Sequence, residues 1–140
     1  MKSSARNQFA GQILEILPMG SMCQVAVQSG AHVVYALISQ RMADNLGIKV
    51  GDTAIVMVKA SSVMLLTDMM PFRLATENVL NATVQRIETG AVNHIITLSL
   101  SDGLTLTAAI TLHSSERLDL HCGQAVYAAF HAHQTVLAVL

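Results

Sequence analysis

The sequence repeats itself. Asn7 aligns with Asn78 and Ile16 with Ile87, at an offset of 71 residues. Ala36 then aligns with Ala108, Ile38 with Ile110, Leu46 with Leu118, Gly51 with Gly123, Ala60 with Ala132 and Leu65 with Leu137, at an offset of 72. The change of offset places one extra residue in the second copy, near "LSDGL" (Leu100 to Leu104). A tandem duplication divides the chain into a first module, residues 1–66, a linker, 67–75, and a second module, 76–140. Pro71 suits a linker because it has no N–H to give to a central strand ladder. Modules this short rarely hold together on one core alone, so packing of module on module and chain on chain is expected.

Each module reads mainly as strands. In the second, Leu98, Leu100, Leu104 and Leu106 alternate with Ser and Thr across "SDG", the period-two pattern of a hairpin. In the first, "VAVQSGAHVVYALI" repeats this with Gly30 at the turn. A short helix follows: Ser39 is a natural N-cap for "QRMADNL" and Gly47 a C-terminal stop, with Thr111 and "LHSSERL" as the second copy. "GDTAIVMVKA" is a strand apolar on both faces, and "SSVMLL" a last strand. Strand, hairpin, helix and two strands suit an all-β fold of two tandem Greek-key barrels of the oligonucleotide-binding type, each with five strands and one short helix. One large sandwich built from both halves is the competing arrangement.

Composition narrows the class. The chain is 52% hydrophobic and 12% charged, which excludes disorder. No apolar run approaches the roughly 18 residues that span a bilayer. The start, "MKSSARNQF", lacks the apolar stretch of a signal peptide. A cytoplasmic protein with no membrane partner is expected, and Met1 with its short lead suggests a free-standing one. Cys23 and Cys122 stand apart, without metal-ligand or redox spacing, and read as small apolar residues. The net charge of -1 exerts no general pull on nucleic acid. Charge is nevertheless skewed, about +2 over residues 1–66 and -3 over 67–140.

The candidate site lies in the first module. A tetrahedral oxyanion needs one or two cations and several short donors that do not crowd it. "SARN" and "KASS" hold that inventory: Ser4, Ala5 and Arg6, then Lys59, Ala60 and Ser61. Ser39 adds a hydroxyl at the opening of the helix. Taken singly, Arg6 and Lys59 read equally as solvated strand ends, and Ser39 as no more than a cap.

"SARNQFAGQI", "LISQRMADNLGIKVGD" and "VKASSVML", in this order and spacing, resemble the molbindin family of molybdenum-pterin-binding proteins. The same modules form the molybdate-sensing part of molybdate-responsive transcription regulators. The resemblance covers nearly the whole chain as two modules in tandem. It implies barrels that assemble as dimers or trimers of tandem pairs and bind molybdate or tungstate, with no organic cofactor, at interfaces between modules. By that resemblance the anion is held by Ser4, Ala5, Arg6, Ser39, Lys59, Ala60 and Ser61.

The second module departs from the pattern: Arg6 becomes Glu77, Lys59 becomes His131 and Ser61 becomes His133. Two unit charges 4 Å apart interact by about 4 kcal/mol at an effective dielectric of 20, so a carboxylate in place of a guanidinium repels an anion. The equivalent site there is expected to be dead.

Three alternatives remain. The chain could be the detached effector domain of a molybdate-responsive regulator. Direct nucleic-acid binding is disfavoured: there are three Phe, two Tyr and no Trp, and the net charge is slightly negative. A zinc site on His131 and His133, alternate residues sharing a strand face, has no third ligand close in sequence, although His121 and Cys122 could approach. An enzyme is not expected, because no nucleophile–base or carboxylate pair stands out.

Overall fold

The structure is a computed structural model that describes residues 2–70 and 72–140. Met1 and Pro71, both used in reading the sequence, lie outside the described residues. The first module contains β1 (Asn7–Met19), β2 (Met22–Ser29), β3 (His32–Ser39), α1 (Gln40–Leu46), β4 (Thr53–Val58), a 3-10 turn (Ala60–Ser62) and β5 (Met64–Leu66). The second repeats this as β6 (Asn78–Thr89), β7 (Asn93–Ser99), β8 (Thr105–Thr111), α2 (Leu112–Leu118), β9 (Ala125–Phe130), a 3-10 turn (Ala132–Gln134) and β10 (Thr135–Val139).

Two antiparallel five-stranded sheets result, in the orders β10-β4-β1-β2-β3 and β5-β9-β6-β7-β8. The count of five strands and one helix per barrel matches the expectation, but ownership of the last strand does not. β5 leaves its own module to pair with β9, and β10 crosses to pair with β4. Local alternation shows that a segment is a strand and carries no information on which edge it joins. With β5 and β10 exchanged, each sheet is completed by the other half of the chain.

Local chemistry shapes each barrel. β1 pairs with β4 over its first half and with β2 over its second, and the hand-over sits at a bulge between Ile13 and Glu15. The second module bulges at the equivalent place, between Val84 and Arg86. Bulges re-aim a strand and let a sheet coil on itself. Gly11 is required there: a Cβ on it would lie 1.8 Å from the Gln28 carbonyl oxygen. Ser39 caps α1 by accepting from Met42 N–H at 3.0 Å, and Gly47 ends it in the left-handed region. Thr111 caps α2 in the same way, whereas Asp119 takes the left-handed position at its end.

The core is continuous through both halves. Val25, Val27, Val34 and Val56 of the first module and Ile96, Leu98 and Leu106 of the second are fully buried in it. Phe9 and Phe130, one from each half, stack with ring centroids 6.0 Å apart. Of the four alternating leucines, Leu104 departs from the pattern and is 39% exposed, because the inserted residue widens the turn beside it. Cys23 is buried as expected; Cys122 is exposed.

Two buried amides fasten the halves. Asn7 Nδ2 donates to the Thr107 carbonyl at 2.8 Å and its Oδ1 accepts from Thr107 N–H at 2.7 Å. Asn78 does the same to Tyr35, with distances of 2.9 and 2.8 Å. Each asparagine thus imitates a neighbouring peptide group at an edge strand, β8 or β3. A third link has no counterpart. Asp102, in the widened second hairpin, accepts from Ala31 N–H at 3.0 Å and pairs with His32 Nε2 at 3.2 Å.

Replacing Asn78 by Ala leaves the Tyr35 N–H and carbonyl unpaired, and is expected to cost about 1–3 kcal/mol in urea unfolding. A loss below about 0.5 kcal/mol would show that the amide does not fasten the halves.

The Ala31 N–H is the main reason the Asp102 carboxyl lies below the usual aspartate range; burial opposes it, and Leu104 N–H and His32 add to it. A lowered folded-state value means stability that is present above the unfolded aspartate value and lost as pH falls through the folded one. Thermal melts should therefore show Asp102→Asn less stable than the wild type at neutral pH. The difference should shrink on acidification below about pH 4.

Candidate functional site

The N-terminal segment reaches the site through β1. Ser3 Oγ accepts from Ala5 N–H at 3.2 Å and from Gln8 Nε2 at 3.3 Å, which folds "SSAR" back on the start of the strand. In the ladder Asn7 pairs with Val58. Arg6 and Lys59, the next residues on each side, therefore flank one another where the paired strands end. Both are exposed, and neither makes a salt bridge among the described residues.

Beyond Lys59 the chain turns. Ser62 N–H bonds the Lys59 carbonyl at 3.0 Å and Val63 N–H the Ala60 carbonyl at 3.3 Å. Ala60 is buried, and its own N–H has no acceptor among the described residues. Ser61 stands exposed beside it. Ser4, Ala5, Arg6, Lys59, Ala60 and Ser61 are thus gathered at one end of the first barrel.

Ser39 is not with them. It pairs with Met22, which in turn pairs with Met19 at the far end of β1. From Arg6 to Met19 is on the order of 40 Å measured along the strand, at about 3.3 Å per residue. The reason is topological: the residue that opens α1 must stand at the end of β3, and β3 runs away from the Arg6 end.

The second module carries the same backbone with different chemistry. Glu77 takes the place of Arg6, and its Oε1 accepts from Ala132 N–H at 2.9 Å. His131 Nδ1 lies 3.9 Å from the same oxygen and 3.1 Å from Thr76 Oγ1, which also donates to the Phe130 carbonyl. The Ala132 N–H holds the Glu77 carboxyl below the usual range; partial burial opposes this, and the two histidines assist it. His131 and His133 stack with centroids 4.9 Å apart. They meet across a 3-10 turn and not, as expected, as alternate residues of a strand. Among the described residues no group of three or more His, Cys, Asp or Glu could hold a metal ion.

The two sites share a seam. Val58 pairs with Thr135 and Met64 with Ala129, so stretches 58–64 and 129–135 cross antiparallel with the two 3-10 turns between them. A pocket of about 470 Å³ opens there, lined by Ser61, Ser62, Leu74, Thr76, Phe130 and His131. Reading the sequence missed the Ala132 N–H and Thr76, while Ala60 was already among the expected donors. Main-chain donors leave no mark on composition. The paired exchange of Arg6 for Glu77 and Lys59 for His131 was the available signal that these positions touch.

This repeated architecture was compared with known proteins. The TOBE domain matches residues 3–65 and again residues 74–137. The chain belongs to the TOBE domain family. It is 39% identical over 140 residues to "Molybdenum transport protein ModE" of Herbaspirillum seropedicae, covering 99% of this chain and 52% of that protein. It is 30% identical to "Molybdenum-pterin-binding protein MopB" of Rhodobacter capsulatus, again covering 99% of this chain and 52% of that one. The chain therefore spans about half the length of the curated relatives it matches. Among solved structures it is similar to the cytoplasmic molybdate-binding protein ModG with molybdate bound. That match has 33% identity and a TM-score of 0.95, and covers 100% of both chains.

Proposed function

We propose that this protein binds molybdate, and tungstate with it, at the Arg6–Lys59 end of the first module. The observation that carries the proposal is that two cations, unpaired among the described residues, stand at adjoining strand ends beside a main-chain donor that is free among those residues. Arg6 offers a fork of N–H groups and Lys59 a compact positive charge. Ala60 N–H and the hydroxyls of Ser4 and Ser61 supply short donors that leave room for a tetrahedral guest. The similarity to MopB and to molybdate-bound ModG supports molybdate as that guest.

Ser39 enters from a second copy. One chain holds it at the opposite end of the sheet, so a site that includes it lies between chains and requires a homo-oligomer, a dimer or a trimer. Enclosure between copies removes solvent from the anion and strengthens each donor's hold on it. It also limits the guest by size, which gives a means of rejecting sulfate. The role is molybdenum storage, homeostasis or sensing inside the cell, by binding and without catalysis. The match of this chain to about half of the "Transcriptional regulator ModE" of Yersinia pestis supports the alternative that it is the effector half of a regulator.

Calorimetry with molybdate, tungstate and sulfate, run alongside light scattering to count chains, tests the proposal. The first two ligands are expected to bind at micromolar concentration or below, and sulfate to give no signal. Arg6→Glu and Lys59→Ala should each reduce affinity at least about 100-fold, since an anion held by charge-assisted bonds loses about 3 kcal/mol with each. Equal losses in His131→Ala would place the site in the wrong module. Ser39→Ala should weaken binding only in the assembled oligomer; an affinity unchanged by it would remove Ser39 from the site.

A further inference from the structure

We infer that the second module's anion cradle is intact and that its ligand is the protein's own Glu77 carboxylate. The inference rests on reading the first module as an anion site. It changes the account of the second from a site that repels anions to a site already filled.

The backbone of the two cradles corresponds residue for residue. Asn7 and Asn78 make the same pair of bonds to the opposite half, which brings Arg6 and Glu77 to equivalent positions. Lys59 and His131 each precede a 3-10 turn that begins with a buried alanine. In the first module the N–H of that alanine, Ala60, has no acceptor among the described residues. In the second, the N–H of Ala132 is taken by Glu77 Oε1 at 2.9 Å. A carboxylate oxygen therefore sits on the donor where a bound oxyanion would place one of its own.

The surroundings are those of an anion. His131 Nδ1 stands 3.9 Å from the same oxygen, and His133 stacks on His131. Thr76 donates to the Phe130 carbonyl and so can take a hydrogen bond from the His131 ring N–H, which orients that imidazole beside the carboxylate. Two imidazoles facing one carboxylate give a set that is neutral or positive whenever either ring carries a proton. Arginine and lysine here would have left two permanent cations needing an external guest. With Glu77 the guest is covalently attached, so no ligand concentration is needed to fill the cradle.

The class of ligand that fits is a small carboxylate or oxyanion, and removing the tether should expose it. Glu77→Ala leaves Ala132 N–H, His131 and His133 in place without their anion. To keep the first module out of the measurement, the experiment uses the full chain with Lys59→Ala, and compares it with the Lys59→Ala/Glu77→Ala protein. Formate is added at about pH 6.5, where histidine is partly protonated. The Glu77→Ala protein is expected to melt lower and to recover about 4–6 °C at a formate concentration ten times its Kd; the parent should barely respond. Chloride at equal ionic strength should not substitute, since the recovery depends on oxygen acceptors.

A Glu77→Ala protein that melts as high as its parent, or shows no recovery that is specific to formate, overturns the inference. Glu77→Gln separates fit from charge: its Oε1 still accepts from Ala132, so it should melt between the two and ignore formate. Recovery of Glu77→Gln equal to that of Glu77→Ala would also overturn it. Molybdate binding by the wild type plays no part in these outcomes, so failure here and failure of the first-module reading are told apart.

Discussion

The structure depends on two carboxamides that behave as pieces of backbone. A side chain with a donor and an acceptor in one plane can complete the hydrogen bonding of an edge strand as a neighbouring strand would. Asn7 does this for β8 and Asn78 for β3, each the last strand of the opposite sheet. An exposed edge invites pairing with another chain, and here two edges are partly closed from within. Because both asparagines are buried, any displacement would strand polar groups away from water. The starts of β1 and β6 are thereby held, and with them the residues immediately before: Arg6 and Glu77. The two halves thus differ in which charge stands one residue ahead of the clamp.

The same scaffold thus supports two electrostatic solutions. In the first module two cations flank one another at the ends of paired strands, an arrangement that an anion relieves. In the second, the Glu77 carboxylate takes the Ala132 N–H with the His131 ring beside it, without any added ion. The hairpins differ too. The inserted residue lets Asp102 reach Ala31 and His32, a contact that the shorter first hairpin cannot return. The duplication is symmetric in its clamps and asymmetric in its charges.

Most of the strand order was legible because alternation and caps are local. Ser39 and Gly47 announced α1, and the repeated Asn, Ala and Gly positions announced the second copy. The exchange of β5 and β10 was not legible, since "SSVMLL" pairs equally well with either module's β-strands as far as its own pattern shows. Arg6 and Lys59 were legible as a pair only through the resemblance; the register of Asn7 with Val58 is what makes them neighbours. Ser39 was grouped with them because the resemblance names residues without saying which copy each comes from. The place of Glu77 was not legible for a different reason. Charge alone says that a carboxylate expels an anion, and only the geometry at Ala132 shows a carboxylate acting as one.

The strand exchange explains why the second module, which has Glu77 and His131 in place of Arg6 and Lys59, would still matter to the proposed anion site. β4, which ends at Val58 just before Lys59, has β1 on one side and β10 on the other. Arg6 therefore faces Lys59 from the first module, while Gln134 and the turn of the second module flank it from the opposite side. Loss of order in the second module would remove one of the two strands that hold β4. Lys59 would then be free to move away from Arg6, a motion that their mutual repulsion favours. A second module kept in order by an internal anion holds that strand in place before any ligand arrives. Preorganisation of this kind reduces the ordering that binding must otherwise supply, and so raises affinity without adding a contact.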